Sequence, residues 1–359
     1  MFKFQNSIIH SLQVELPPHI ISSDDIEYRL KEFYEKVRLP LGRLELMTGI
    51  KERRFWGSGE RPSDGAIKVG LKSLKASHLS VQDVEVLAFC SVSRDFLEPA
   101  TASVVHHGLR LSSKCMIFDV SNACLGFLNG FVIIANMIEA GQIEHGMVVC
   151  CESGGPLVEQ TIKRILEDTT MTRGSFKNSF ASLTIGSGAV ACIVSKKDKN
   201  ISGFNLLGAT ASAATEWVNL CQGDVATGET VQSSGFDGAS FPDMQTDSEA
   251  MLHAGCELAF VNWMSLKSVL KWENTTPQHF ICHQVGKAHQ KLLFQKLEID
   301  LQKDHPTYQK YGNSGSAALP MALEDCAQAG KIKDGDKIAL LGIGSGLNSL
   351  MIGVEFKGE

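Results

Sequence analysis

The sequence holds no Cys-x-x-Cys pair, so the ligand spacing that structural zinc sites use is missing. Its ten cysteines are not arranged as a disulfide framework either. Cys115, Cys150, Cys151, Cys192 and Cys282 sit inside apolar runs, where a reduced thiol behaves as a small hydrophobe. An excess of positive charge is also lacking: 34 Lys and Arg face 40 Asp and Glu, for a formal charge of -6. Nucleic-acid binding needs clustered Lys and Arg, so that class is set aside. The start, Met1-Phe-Lys-Phe-Gln-Asn-Ser7, lacks the basic segment, apolar stretch and small-residue cleavage site of a secretory leader. Apolar runs such as Phe131 to Ala135 fall far short of a bilayer span. The expectation is a reduced, soluble, cytoplasmic protein with no metal, no nucleic-acid partner and no membrane span.

What is present is ordinary for a globular chain: 359 residues, 43% hydrophobic and 21% charged, enough for one large core or two fused halves. Strand-like runs alternate with helix-like segments, which predicts a layered α/β fold. Short, continuously apolar strands are expected at Val84 to Cys90, Met116 to Val120, Met147 to Cys151, Ala189 to Val194, Phe280 to Cys282, Ile338 to Leu341 and Ser349 to Phe356. Helical patterns run over Ser63 to Lys75, Leu125 to Glu139, Lys287 to Lys296 and Ala317 to Ala329. A further one, about Ser248 to Trp272, carries Leu252, Gly255, Ala259, Trp263, Leu266 and Leu270 on one apolar face. Gly154 to Phe180 and the Gly-, Ser- and Thr-rich Cys221 to Thr246 read as excursions from the core, the second as a surface loop or a substrate-covering cap. A charged break at Lys196-Lys-Asp-Lys-Asn200 divides the chain into 1–198 and 199–359. In each half an apolar strand runs into a helix with a reactive side chain at the junction, Cys124 in one and His283 in the other.

Cys124 follows the strand and short polar turn of Met116-Ile-Phe-Asp-Val-Ser-Asn-Ala-Cys124 and opens an apolar helix. Free N–H groups and the positive end of a helix dipole stabilise a thiolate, the form that attacks an acyl carbon. A buried structural cysteine is the alternative reading of those residues alone. His283 leaves the buried strand Phe280-Ile-Cys-His283, as a core histidine also would. Asn313 lies in Gly312-Asn-Ser-Gly-Ser316, which on its own reads as a turn. Leu341-Gly-Ile-Gly-Ser-Gly-Leu347 lies between two strands and so lacks the strand-to-helix setting of a phosphate loop. Its glycines would let backbone N–H groups approach a reacting centre.

In chain order these elements resemble the β-ketoacyl-acyl carrier protein synthase III branch of the thiolase superfamily, from Thr48-Gly-Ile-Lys-Glu-Arg-Arg54 to Gly344-Ser-Gly-Leu347. Within it the chain is most similar to the olefin-pathway enzymes that condense two fatty acyl-CoAs. Ser91-Val-Ser-Arg-Asp-Phe-Leu-Glu-Pro99, Ala214-Thr-Glu-Trp-Val-Asn-Leu-Cys221 and Leu340-Leu-Gly-Ile-Gly-Ser-Gly-Leu-Asn348 carry that match. The resemblance implies a five-layer αβαβα thiolase fold of two pseudo-symmetric halves and a homodimer. It also implies CoA or acyl carrier protein thioesters as substrates, with no permanently bound cofactor. It assigns Cys124 as nucleophile, His283 and Asn313 as holders of the second thioester oxygen, and the N–H groups of Cys124 and Gly346 as oxyanion hole.

Glu98 separates the subfamilies. An aromatic residue commonly precedes the equivalent of Pro99 and enters the partner's acyl pocket; here the position is a carboxylate. Joining two unactivated acyl thioesters requires removal of an α-proton, and a Glu98 kept dry in an apolar pocket would be a stronger base for it. A solvated loop glutamate is the alternative. Three departures are plain: Arg43 and Met47 stand where Trp and Arg often grip the CoA adenine, Val285-Gly286 follows His283-Gln, and Thr184-Ile-Gly-Ser-Gly-Ala189 replaces the usual Phe-Gly-Asp-Gly-Ala-Gly. Two rivals remain at this stage: a decarboxylative synthase III fed by malonyl thioester, and a catalytically silent acyl-binding homologue.

Overall fold

The computed structural model describes residues 1–223 and 244–358. Nine strands form the core of the sheet: β1 (Ser7–Glu15), β2 (Val86–Phe89), β3 (Met116–Asp119), β4 (His145–Glu152), β5 (Gly188–Lys196), β6 (Gly203–Ala213), β7 (His279–Cys282), β8 (Lys337–Gly344) and β9 (Asn348–Lys357). Their order is β7-β8-β9-β6-β1-β5-β4-β2-β3, and Phe2–Lys3 adds a short pairing to β6. Going outward from the middle, β1, β5, β4 and β2 pair antiparallel, antiparallel, then parallel. The other half repeats that sequence of pairings through β6, β9, β8 and β7. Ile8 with Asn205 and Ile9 with Phe204, together with the short Phe2–Lys3 pairing to β6, join the two. The break expected near Lys196–Asn200 falls in the β5–β6 connection.

Six long helices complete the layers: α1 (Pro62–Ser77), α2 (Thr101–Leu109), α3 (Gly126–Glu139), α4 (Ser248–Leu270), α5 (Lys287–Leu297) and α6 (Ala318–Gln328). Helices α3 and α6 lie in the middle, where Phe127, Phe131, Ile134, Leu319 and Leu323 pack against strands of both halves. Ala66, Val69, Ala102 and Val105 of α1 and α2 cover the outer face of one half. Ala259, Trp263, Leu266 and Leu293 of α4 and α5 cover the other. The result is an αβαβα stack, held by side chains that each contribute ~1.5–3 kcal/mol on full burial. Close packing of α3 on β2 depends on Gly130, where a Cβ would collide with the Cys90 sulfur.

The expected strands are all found; β2 and β3 are shorter than their apolar runs, and the other five extend beyond theirs by one to four residues. Two central strands were not legible. β1 interrupts its apolar residues with buried Ser7 and Ser11, and β6 is built largely of small residues. Gly154 to Phe180 lies apart from the layers: Gly155–Glu167 and Arg173–Phe180 are helices that share a fourth core with Ser23–Arg29, Lys31–Lys36 and Arg43–Thr48. The loop or cap expected at Cys221 to Thr246 lies mostly outside the described residues; its ends, Cys221–Gly223 and Met244–Thr246, pair antiparallel. Among the described residues, no helix is long and apolar enough to cross a membrane.

Candidate active site

The carboxyl ends of the parallel strands β2, β3 and β7 each release one of the sequence-selected segments. Such ends are where open α/β sheets place ligands. After β3 the chain turns through Ala123 at φ +45°, a left-handed conformation that costs an alanine about 1 kcal/mol and throws the next residue outward. That residue is Cys124, half-buried; α3 begins only at Gly126. The thiol is therefore just outside the helix rather than its first residue. Burial pushes it up to about 12, Cys221 and Glu152 add to the rise, and its own backbone N–H opposes it. The thiolate expected from the dipole is absent at rest, because loss of water around the sulfur outweighs the helix end.

His283 follows β7, with its N–H donating to Leu341 O at 3.2 Å. The ring is 5% exposed, and its Nδ1 has no hydrogen-bond partner among the described residues. Burial, then His289, lowers it to about 3, so the imidazole is neutral. Gln284 fixes this strand end: its Nε2 donates to Cys282 O, and its Oε1 accepts from Thr307 N and Tyr308 N. The chain from Thr307 leads directly to Asn313. Asn313 donates its N–H to Thr184 O and accepts from Gly186 N through its carbonyl. Its Oδ1 accepts from Gly315 N at 3.1 Å, leaving Nδ2 as the donating end of the amide.

Two contacts bring these segments to Cys124. A Cβ at Gly344, on the strand beside β7, would lie 3.6 Å from Cys124 N. Ser316, three residues after Asn313, accepts from Phe127 N at 2.7 Å and donates to Cys90 O at 3.1 Å. The Gly-rich turn after β8 holds Gly346 at φ +127°. Asn348 Nδ2 donates to Ser345 O at 2.7 Å, while Asn122 Nδ2 donates to both Asn348 Oδ1 and Asn129 Oδ1. A cavity of about 490 Å³ opens there, lined by Asn122, Asn129, Ser212, Thr215, Gly346 and Asn348 among others. Cys124, His283, Asn313 and Gly346 thus lie on converging segments.

Glu98 does not join them within its own chain. It sits exposed on the loop after β2, beside Val92 and Leu97 at 52% and 59% exposure. Among the described residues, this chain does not form the dry pocket expected around it. The root of that loop is ordered: Asp95 accepts from Ser63 N and Ser63 Oγ, and its own N–H donates to Thr101 Oγ1.

One residue of the neighbourhood escaped sequence reasoning. Glu152, 5% exposed, ends the buried strand β4. Its Oε1 accepts from Val92 N at 3.0 Å and Ser316 N at 3.2 Å, and its Oε2 from Ser93 N at 3.0 Å. A carboxylate closing the wholly apolar run Met147-Val-Val-Cys-Cys151 was the signal for it.

Comparison with known proteins agrees with this architecture. Residues 118–213 match the 3-oxoacyl-[acyl-carrier-protein] synthase III model, and residues 270–354 match the model of its C-terminal part. An acyl-CoA:acyl-CoA alkyltransferase of Shewanella oneidensis is 39% identical over 99% of this chain and 100% of its own. The chain belongs to the 3-oxoacyl-[acyl-carrier-protein] synthase III family. Within this acyltransferase family, an acyl-CoA:acyl-CoA alkyltransferase of Xanthomonas campestris is 35% identical over 97% of this chain and 98% of its own. A β-ketoacyl-[acyl-carrier-protein] synthase III of Halalkalibacterium halodurans is 28% identical over 92% of each chain. Xanthomonas campestris OleA, in a cysteine-to-serine variant with bound lauric acid and lauroyl-CoA, superposes with a TM-score of 0.90 at 34% identity. That match covers 98% of this chain and 100% of the other.

Proposed function

We propose that this protein joins two fatty acyl-CoA thioesters by a Claisen condensation through an acyl-cysteine intermediate. Cys124 Sγ attacks the thioester carbonyl of the first acyl-CoA, and CoA leaves as its thiol, taking the proton. The N–H groups of Cys124 and Gly346 hold the oxyanion formed at this carbon. The second acyl-CoA then binds with its thioester oxygen toward His283 and Asn313. Glu98 of the partner subunit removes its α-proton, and the enolate carbon attacks the acyl-cysteine carbonyl, expelling the cysteine sulfur. The product is a 2-alkyl-3-oxoacyl-CoA, or the free acid after hydrolysis.

The observation that carries this reading is the convergence of the Cys124, His283 and Asn313 segments, with a carboxylate rather than an aromatic residue at the tip of the Ser91–Pro99 loop. A neutral His283 suits its role, since neutral imidazole donates to an oxyanion without competing for the proton. The relatives named for acyl-CoA:acyl-CoA alkyl transfer support it too. The OleA structures include variants at one cysteine, one histidine and one glutamate, the residue types proposed here. A homodimer is supported by the outer strand β3, which pairs only with β2 among the described residues. Met116 at 48% and Ile133 at 39% exposure offer apolar surface for a partner. We assign residues 1–198 to the half carrying the nucleophile and 199–359 to the half carrying His283 and Asn313.

Incubation with myristoyl-CoA alone tests the proposal. Free CoA and a condensed product by mass spectrometry are expected; the absence of both defeats it. Carbon dioxide release that depends on malonyl thioester, with Glu98→Ala harmless, would instead establish the decarboxylative reaction of the synthase III relatives.

A further inference from the structure

We infer that Glu152 is a positioning residue whose carboxylate clamps the Glu98 loop and the Asn313 turn together, so that the condensation half-reaction depends on it. The inference rests on the function proposed above. Its geometry is direct. Val92 and Ser93 begin the loop that ends in Glu98, and both give their N–H groups to Glu152, each at 3.0 Å. Ser316, at the end of the Gly312–Ser316 turn, gives its N–H to the same Oε1 atom that Val92 uses. A Cβ at Gly315 would stand 3.2 Å from the Glu152 carboxyl carbon, and the residue sits at φ +54°, so glycine lets that turn lie against the carboxylate without strain.

The clamp is also tied to the nucleophile. The hydroxyl of Ser316 accepts from Phe127 N, three residues after Cys124, and donates to Cys90 O, which opens the Glu98 loop. One buried carboxylate therefore fixes one segment proposed to hold the second thioester and another proposed to serve the partner's site. Three N–H donors compensate its burial, and losing the acceptor leaves the buried Ser316 N–H and the part-buried Val92 and Ser93 N–H groups without it. Burial raises this carboxyl, and the backbone donors oppose the rise. Its side-chain position is shaped for acceptance from peptide groups and not for contact with solvent.

The test uses full-length Glu152→Ala and Glu152→Gln. Amide hydrogen exchange reads the clamp itself, at Val92, Ser93 and Ser316. Acylation of Cys124 by myristoyl-CoA and formation of condensed product read the two half-reactions separately. In Glu152→Ala, exchange should accelerate at all three amides and condensation fall ~100-fold, the size expected for a displacement near 1 Å, with acylation nearly kept. Glu152→Gln retains one acceptor oxygen and the side-chain shape, so it should be intermediate. Unchanged exchange in either segment, or an equal loss of both half-reactions, overturns the inference. Glu98→Ala run alongside separates the two ideas: normal condensation there removes the proposed base, while the exchange data still decide whether Glu152 holds the loops.

Discussion

The state of the Cys124 sulfur leads to a measurable prediction that runs against the usual picture of a reactive cysteine. Burial pushes this thiol up to about 12, against about 8.5 to 9 for a free one. At any pH below 8 the thiolate fraction is then lower by roughly a thousandfold. Part of this is recovered, because intrinsic nucleophilicity rises with basicity at a Brønsted slope of about 0.4–0.5, worth some twentyfold over the same interval. The net expectation is alkylation by iodoacetamide about 50-fold slower than that of a free thiol at pH 7.5, with no inflection between about pH 6 and 9. Rates would be followed by mass spectrometry of the Cys124 peptide in a Cys221→Ser background, since Cys221 is the other cysteine that is not fully buried. An inflection near pH 7 and a rate equal to that of free cysteine would refute the argument. It would mean that a charge or a backbone dipole outweighs desolvation at this sulfur.

Glu98→Ala should lower condensation by at least about 100-fold, the usual worth of a positioned base, while acylation of Cys124 continues; a variant that condenses at the parental rate would exclude the base role. Asp304 supplies a stability test away from the proposed chemistry. Burial raises this carboxyl to about 6, Gln290 donates to its Oδ2, and its Oδ1 has no partner among the described residues. Because its folded value lies above the unfolded one near 4, the contribution to stability is full below pH 4 and is lost as pH rises through 6. The loss approaches about 3 kcal/mol. Asp304→Asn should therefore raise the urea midpoint at pH 7 and leave it little changed at pH 4; equal midpoints of the two proteins at pH 7 would contradict this.

Much of the candidate site was legible because its parts sit where strands end. The buried run Phe280–Cys282 of β7 is continuously apolar, so the first polar side chain beyond it, His283, stands out in the sequence. The same holds for Cys124 after the β3 turn and for the glycines that bracket Asn313. β1 and β6 were hidden for the opposite reason. Ser7 and Ser11 are buried but hydrogen-bonded, Ser7 to Glu139 and Ser11 to Ser73, so tertiary contacts supply what a polar residue in a core needs. Nor could local pattern place Gly155–Glu167 in a core, since its partners Ile26, Phe33 and Leu44 lie more than a hundred residues upstream. The thiol's protonation belongs to the same category. A helix start can be read from neighbours in sequence, whereas the low polarity around a sulfur is contributed by the folded whole.

That protonated sulfur has a consequence for the protein's lifetime. Peroxides and other oxidants attack thiolates, and sulfenic acid is the first step toward irreversible loss of a cysteine. Eight of the ten cysteines are shut away in the interior. Cys124, the proposed nucleophile, is only half-buried and is not hidden in that way. Its protection is chemical: a thiol that burial keeps protonated offers oxidants little thiolate to react with.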